Sequence, residues 1–237
     1  MTGSPRHASV APHPDGFALI VDRRLATTPA GRGIVLPTLA LASALAEEWR
    51  TRSVHVAPAT MPLTRMACST LDLTASSRLE ILTTLAGFGE TDLLCHRAPF
   101  PADLAARQAA AWQPWLDWVA RAYGIDLAVT IGLLPVRQPA ASLDRLRHRL
   151  EGCDAWTLMA LHVAVPRFGS VILGLAVIDS LIDAAACLDL ALLDENFQAE
   201  RWGSDPLALS RLQGLHQEVA AAMRFLGLAR PTNDRRG

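Results

Sequence analysis

The side chains with the widest chemical repertoire in this sequence lie near its C-terminal end, in the stretch LLDENFQAERWG at residues 192–203. The stretch combines carboxylates, amides, aromatic rings and an arginine, and it follows a region that is apolar and rich in alanine. Paired carboxylates can perform general acid–base chemistry. Adjacent positions on a helix diverge by about 100°, however, so Asp194 and Glu195 are poorly placed to share one substrate proton. An enzyme would have to use one of them with a distant histidine, in a concave pocket that raises the pKa of the carboxylate.

A second interpretation of the same stretch is a protein-binding surface. On a helix, Asp194, Gln198 and Arg201 lie along one side and Trp202 on a neighbouring side. A solvated helix face with locally paired ions accounts for the charges, but it does not explain why Phe197 and Trp202 stand among them. Aromatic rings beside an arginine and fixed carboxylates are typical of binding hot spots. Simple helix packing remains the alternative.

The composition argues against several other kinds of chemistry. All 22 basic residues are arginine, so the chain has no lysine for a Schiff base or for a phosphate-binding P-loop. The formal net charge of -1 provides no basic excess, so we expect no nucleic-acid partner. The seven histidines show no HExxH spacing, and neither CxxC nor GxSxG occurs. We therefore expect no metal catalysis and no cofactor.

The four cysteines indicate a reducing compartment. They are widely spaced and form no disulfide framework, so we expect free thiols. Cys95 stands next to His96, but adjacent residues rarely bind one metal ion, and no second cluster stands at ligand spacing. We interpret Cys95 as a buried thiol beside a polar histidine.

The elements that must position these residues change in character along the chain. Residues 17–37 show β-prone runs broken by turn sequences, which predicts a small β-meander. Thr38 can cap the helix that follows, and helix signals dominate from there on, with one helix from Pro101 to Gly124 and another starting at Pro206. A short strand is predicted at IDLAVT, residues 125–130. The predicted fold class is α+β, a small N-terminal β-meander domain followed by a larger, mainly α-helical domain, with LLDENFQAERWG as the polar C-terminal end of a core helix.

These signals also predict where the domains begin and end. We expect a disordered lead at 1–16, a small β-rich domain ending in a linking helix at 17–62, a helical domain at 63–230 and a flexible tail at 231–237. The N-terminal segment lacks the apolar core of a secretory signal and the form of a transit peptide, so we expect a cytoplasmic protein. The longest uncharged apolar run, residues 168–178, is too short to cross a bilayer, so we expect no membrane insertion.

A series of short motifs, each weak by itself, occurs in an informative order along the chain. They are TPAGRGIVLP at 28–37, AEEW at 46–49, MPLT at 61–64, DLLCHRA from Asp92, Gln108 with Trp112, VTIG at 129–132, Gln138-Pro139, Gly169-Ser170 and DENFQAERWGSD from Asp194. Their order and spacing resemble the assembly chaperones that bind the alpha subunit of the F-type ATP synthase, a family of mitochondria and some bacteria. The resemblance spans about residues 17–226.

The resemblance implies a two-domain α+β protein that is not an enzyme. Members of the family hold the alpha subunit until the beta subunit covers the same hydrophobic surface, which would otherwise drive aggregation. The chain departs from the family pattern at two places: aspartate stands at position 194 where the family leads us to expect glutamate, and RTRS after Trp49 lacks an expected glutamine. The partner-binding residues that the resemblance implies are Asp194, Glu195, Phe197, Gln198, Trp202 and Trp49.

The composition agrees with such a role. Hydrophobic residues make up 51% of the chain and charged residues 19%, which suits a protein that offers apolar surface to a client and keeps it soluble with surrounding charges. Release would follow from mass action, because a tighter contact between the two ATP synthase subunits displaces the chaperone. We expect a monomer when the protein is free. The alternatives are an adaptor for a different client and the carboxylate-dependent enzyme using Asp194 or Glu195.

Overall fold

The computed structural model describes residues 7–51, 61–132, 134, 136–203 and 206–231. A small antiparallel sheet at the N-terminus is followed by a mainly helical chain, which confirms the predicted fold class. Contacts divide the chain into two compact units, one built from Met1–Ala75 with Ala221–Gly237 and the other from Ser76–Ala220. These bounds differ from the predicted domains, because the helix after MPLT and the C-terminal part of the last helix both join the first unit.

The first unit contains a four-stranded sheet. Its strands are β1 (Ala8–His13), β2 (Gly16–Val21), β3 (Arg24–Leu25) and β4 (Val35–Leu36), and β2 pairs with the other three. The turn between β1 and β2 requires glycine, because Gly16 has a φ of 138° and a Cβ there would lie 2.3 Å from the carbonyl oxygen of Leu36. The sequence predicts β2 to β4 as the meander.

Strand β1 lies inside the segment that the sequence predicts to be disordered. The prolines of this segment suggest an irregular chain, but β1 pairs along its whole length with β2, from Ala8 opposite Val21 to His13 opposite Gly16. The strand is an edge strand among the described elements, where proline is tolerated. Residues 1–6 and 232–237, which the prediction also covers, lie outside the described residues.

Two helices complete the described part of the first unit before residue 75. Helix α1 (Leu39–Arg50) begins at Thr38, whose hydroxyl accepts a hydrogen bond from the amide of Leu41, as predicted. Helix α2 (Pro62–Leu71) follows. The carboxylate of Glu48 accepts hydrogen bonds from the amides of Leu63 and Thr64, at 3.0 and 2.9 Å, and from the Thr64 hydroxyl at 2.8 Å. AEEW and MPLT therefore meet physically, because a glutamate of one satisfies the free amides at the helix start in the other.

The second unit is built from helices around an apolar centre. Its elements are α3 (Ala75–Gly87), a 3-10 helix at Leu93–Cys95, β5 (His96–Arg97), α4 (Ala102–Tyr123), β6 (Thr130–Ile131), α5 (Ala140–Glu151), α6 (Ala155–Phe168), α7 (Val171–Ile178), α8 (Ala184–Ala191), α9 (Leu193–Trp202) and α10 (Pro206–Ala229). Helix α7 is almost entirely buried. No helix within the described ranges is both long enough and apolar enough to span a membrane.

The predicted strand at 125–130 is wrong in its extent. Only Thr130 and Ile131 form a strand, β6, which pairs in parallel with β5. The backbone of Ala128 is instead bound by the side chain of Gln138, which accepts from its amide at 2.8 Å and donates to its carbonyl at 3.0 Å. The side chain of Gln138 thus satisfies the backbone amide and carbonyl that a neighbouring strand would otherwise bind.

Candidate functional site

The stretch LLDENFQAERWG forms a helix of its own, α9. The prediction that it is the C-terminal end of a core helix is wrong, because the chain breaks at Leu192, which ends α8 and precedes α9. The break places Asp194 and Glu195 in the first turn of a new helix. Negative side chains are favoured there by the helix dipole. Helix α9 ends at Gly203, whose φ of 81° suits glycine.

One side of α9 is held against α4 by polar contacts. Glu200 accepts a hydrogen bond from Arg107 at 2.6 Å, and Arg201 forms an ion pair with Asp103. The two pairs reach across to another helix rather than along α9. The idea of a solvated helix face with locally paired ions is therefore wrong for Glu200 and Arg201.

Asp194 also faces α4. Its carboxylate oxygen Oδ1 accepts a hydrogen bond of 2.7 Å from Nε2 of Gln108, which is buried. The other end of the same side chain, Oε1 of Gln108, accepts a hydrogen bond of 2.7 Å from the amide of Ala98. A single amide side chain therefore connects Asp194 to the segment between β5 and α4.

Phe197 lies beneath the polar contacts between α9 and α4. Its side chain is 3% exposed, and the guanidinium carbons of Arg107 and Arg201 lie 5.2 and 4.3 Å from its ring centroid. Cations at this distance from a ring face stabilise the contact beyond the apolar burial. The arginine and aromatic components of the expected hot spot thus hold α9 in place.

The remaining predicted residues of α9 are exposed. Trp202 is 76% exposed, and Glu195 and Gln198 are also on the surface. Glu195 forms a loose ion pair with Arg211, at 4.0 Å. The stretch therefore separates into an inner set, Asp194 and Phe197, and an outer set, Glu195, Gln198 and Trp202.

Trp49 belongs to the first unit. It lies near the end of α1, half-buried, directly after the glutamate that caps α2. Its assignment as a partner-binding residue stays a prediction.

Sequence reasoning missed two exposed residues of the second unit. Phe100 is 78% exposed and Ile131 is 72% exposed. The sequence does contain a signal for Phe100. This large apolar residue stands between Pro99 and Pro101, and prolines exclude such a segment from the interior of a helix or a central strand. No comparable signal marks Ile131, because its exposure depends on how β6 pairs.

The structure gives no support to a catalytic use of Asp194 or Glu195. A surface pocket of about 360 Å³ is lined by Tyr123, Asp144, Arg145, His148 and Arg149, and neither carboxylate belongs to it. Within the described ranges, no three His, Cys, Asp or Glu side chains are grouped so that they could hold a metal ion.

The cysteines behave as the sequence predicts. All four are free thiols, and Cys95 is buried, which confirms its interpretation. Burial raises the pKa of the Cys95 thiol to about 12, so it stays protonated and unreactive at neutral pH.

Comparisons with known proteins agree over most of the chain. A family model described as ATP12 chaperone protein matches residues 6–120. The mitochondrial protein atp12 of Schizosaccharomyces pombe is 25% identical over 203 residues, which cover 80% of this chain and 70% of that protein. The crystal structure of Atp12 from Paracoccus denitrificans has 38% identity and a TM-score of 0.88, covering 95% of this chain and 99% of that one. The crystal structure of the Atu1473 protein from Agrobacterium tumefaciens has 32% identity and a TM-score of 0.87, covering 95% of this chain and 87% of that one.

Proposed function

This chain belongs to the ATP12 chaperone family, and from that premise we propose that it is an assembly chaperone for the F-type ATP synthase. Its client is the isolated alpha subunit, which it binds and keeps from aggregating until the beta subunit takes its place. It acts in the cytoplasm, without catalysis and without a cofactor.

The observation that carries this proposal is that α9 has some side chains engaged by α4 and others left exposed. Asp194 and Phe197 are engaged by α4, which fixes the helix. Glu195, Gln198 and Trp202 remain exposed. A rigid helix that presents an exposed tryptophan with polar neighbours has the composition of a binding hot spot, since little conformational entropy is lost when a partner docks.

The predicted partner-binding residues then have different roles. Trp202 contacts the client directly, with Glu195 and Gln198 at its side. Asp194 and Phe197 support this surface from within the protein. Trp49 contributes a separate contact from the first unit.

The test is the aggregation of the isolated alpha subunit, followed by light scattering. We expect the protein to suppress the scattering in proportion to its concentration and Trp202→Ala to suppress it less. The matched control is Leu79→Ala, which truncates another exposed apolar side chain, on α3. The beta subunit and an unrelated aggregating protein serve as alternative clients.

The outcomes separate the proposed function from its alternatives. Suppression for the alpha subunit alone supports the proposal. Equal suppression for the unrelated protein would identify a general adaptor, and no suppression for the alpha subunit would contradict the proposal. Wild-type suppression by Trp202→Ala would remove Trp202 from the client surface, and an equal loss in the Leu79→Ala control would mean that the effect is not specific to α9.

A further inference from the structure

Two side chains of α4 bind the chain on either side of the break at Leu192. Gln108 binds Asp194, in the first turn of α9. The indole nitrogen Nε1 of Trp112 donates a hydrogen bond of 2.9 Å to the carbonyl of Leu190. Gln108 and Trp112 are four residues apart in α4, so they lie on the same face of that helix. One face of α4 therefore holds both the end of α8 and the start of α9.

The Leu190 carbonyl belongs to the last turn of α8, which ends at Ala191. Carbonyls at the end of a helix lack an amide partner within the helix itself, so a donor from elsewhere has to bind them. Trp112 provides this donor from a side chain that is only 1% exposed. Without it a carbonyl would lose its partner where water does not readily replace it, which costs more than losing a hydrogen bond at the surface.

The ring of Trp112 has a contact of its own. The guanidinium carbon of Arg97 lies 5.2 Å from the ring centroid, and Nη1 of Arg97 donates to the carbonyl of Leu94. Among the described residues no carboxylate pairs with Arg97, so this buried cation is held by the Leu94 carbonyl and by the ring. The ring and the N–H of Trp112 therefore bind different partners, and a substitution can remove the N–H while an aromatic ring remains.

The ion pairs along the rest of α9 are weaker restraints. The side chains of Arg107 and Glu200 are about half exposed, and so are those of Arg201 and Asp103. Ion pairs that are open to water contribute little, because the solvent screens the charges. The orientation of α9 therefore depends mainly on the buried contacts near the break.

A small rotation at the break is amplified at the far end of α9. The helix has ten residues, which corresponds to a length of about 15 Å. A rotation of about 10° at Leu192 would thus displace Trp202, the last residue of α9, by about 2.6 Å. Hot-spot side chains act through close packing in the interface, and a displacement of this size disrupts such packing.

We propose that Trp112 is a positioning residue for client binding, because its N–H fixes the end of α8 and thereby the orientation in which α9 presents Trp202. The inference rests on the proposed function and deepens it, since it assigns a role in binding to a side chain that is itself buried. What Trp112 provides for this role is the hydrogen-bond donor rather than the bulk of its ring.

The experiment is a double-mutant cycle between Trp112 and Trp202. Trp112→Phe keeps an aromatic ring but removes the donor, and Trp202→Ala removes the exposed ring. The Kd for labelled alpha subunit is measured by fluorescence anisotropy, below the aggregation threshold, for the wild type, the two single variants and the double variant. We expect Trp112→Phe to raise the Kd at least about fivefold and Trp202→Ala about tenfold. The double variant should bind at most about twofold more weakly than Trp202→Ala, because Trp112 acts through Trp202.

Leu146→Ala is the control for general destabilisation. Leu146 lies on α5 and is fully buried, so its truncation leaves a cavity and should lower the melting temperature at least as far as Trp112→Phe does. Its Kd should nevertheless stay within about twofold of the wild type. If Trp112→Phe fails to fold, Trp112→Met replaces it, since methionine also fills the site without an N–H donor.

Hydrogen exchange provides a measurement that does not involve the client. The amide of Asn196 donates to the carbonyl of Leu192 at 2.8 Å, which is the hydrogen bond that starts α9 at the break. Its exchange should become faster in Trp112→Phe and stay unchanged in Leu146→Ala.

The outcomes distinguish the positioning role from the proposed function. If the effects of the two substitutions multiply, if Trp112→Phe binds at the wild-type Kd, or if Leu146→Ala binds as weakly as Trp112→Phe, the positioning role is overturned and the proposed function stands. Unchanged exchange at Asn196 in Trp112→Phe would also overturn it. Failure of the wild-type protein to bind the alpha subunit would instead contradict the proposed function, and the role of Trp112 in binding with it.

Discussion

Asp194 is bound to α4 within the protein, and we propose that it serves binding without touching the partner. Its carboxylate holds Gln108, and Gln108 in turn holds the amide of Ala98, two residues before Phe100. The chain of hydrogen bonds therefore ends at the segment that carries the exposed Phe100. In this interpretation Asp194 is a positioning residue, and what it must provide is a hydrogen-bond acceptor rather than a charge.

This role predicts different effects for three substitutions. Asp194→Asn keeps an oxygen that accepts from Gln108, so binding of the alpha subunit should stay within about threefold of the wild type. Asp194→Lys and Gln108→Leu break the chain, and the Leu variant also leaves the Ala98 amide without its acceptor. Both should raise the Kd about tenfold and speed hydrogen exchange of the Ala98 amide.

The asparagine variant decides between positioning and direct contact. If the carboxylate met the client through its charge, Asp194→Asn would bind as poorly as Asp194→Lys, and Gln108→Leu would bind normally. Faster exchange at Ala98 without any change in Kd would also contradict the positioning role.

Truncation of the two aromatic residues of α9 should affect the free energy of unfolding to very different extents. Phe197 is buried under two arginines, so Phe197→Ala should lower the free energy of unfolding by about 3–5 kcal/mol. Trp202 is exposed, and Trp202→Ala should change it by no more than about 0.5 kcal/mol. Urea denaturation followed by circular dichroism measures both. Equal losses in the two variants would mean that Trp202 is part of the packing and not of a free surface.

At the scale of elements, the buried carboxylate of Asp92 connects the 3-10 helix at Leu93–Cys95 to α7. Asp92 precedes the 3-10 helix at Leu93–Cys95 and accepts a hydrogen bond of 3.0 Å from the Leu94 amide. Its second oxygen accepts from the Ile172 amide at 3.2 Å, in the first turn of α7. Both helix starts lack internal partners for their amides, so one side chain completes both.

Asp92 also predicts a pH dependence. Burial raises its pKa to about 6, against hydrogen bonds from Ser170 and from backbone amides that lower it. The folded protein therefore binds the proton more tightly than the unfolded chain, whose carboxyl has a pKa near 3.8. The contribution of this group to the free energy of unfolding is greatest below about pH 4 and declines as the pH rises to about 6.

The measurement is chemical denaturation at several pH values between 4 and 7, for the wild type and for Asp92→Asn. Asp92→Asn cannot titrate at this position. The free energy of unfolding of the wild type should therefore fall relative to that of Asp92→Asn as the pH rises through this range. Parallel pH profiles for the two proteins would show that Asp92 does not titrate there.

Elements with local end signals could be predicted from the sequence, and elements that depend on distant partners could not. Thr38 starts α1, and Gly124 ends α4 in a left-handed conformation with a φ of 65°. These signals act within one turn of helix. By contrast, β1 exists through its pairing with β2, and the short β6 is limited by the side chain of Gln138.

At the scale of the whole molecule, the sequence predicts a helix at LLDENFQAERWG but not its orientation. Asp194 and its partner Gln108 are 86 residues apart, so no local pattern shows that this carboxylate faces inward. The same holds for Phe197, whose burial depends on Arg107 of α4. The resemblance selects these residues because it compares whole motifs. Which of their side chains face α4 and which are exposed becomes visible only in the structure.

The same whole-molecule view leads to a prediction about release. The chain has no lysine and so no phosphate-binding P-loop. Under the proposed function the beta subunit would cover the same surface of the client more tightly, so release should depend on competition alone. Adding beta subunit to the complex should free the chaperone at the same rate with ATP as with a non-hydrolysable analogue, measured by energy transfer between labelled chaperone and client. Release that occurs only when ATP is hydrolysed would contradict displacement by mass action and would require an energy-using step that this chain's own residues do not provide.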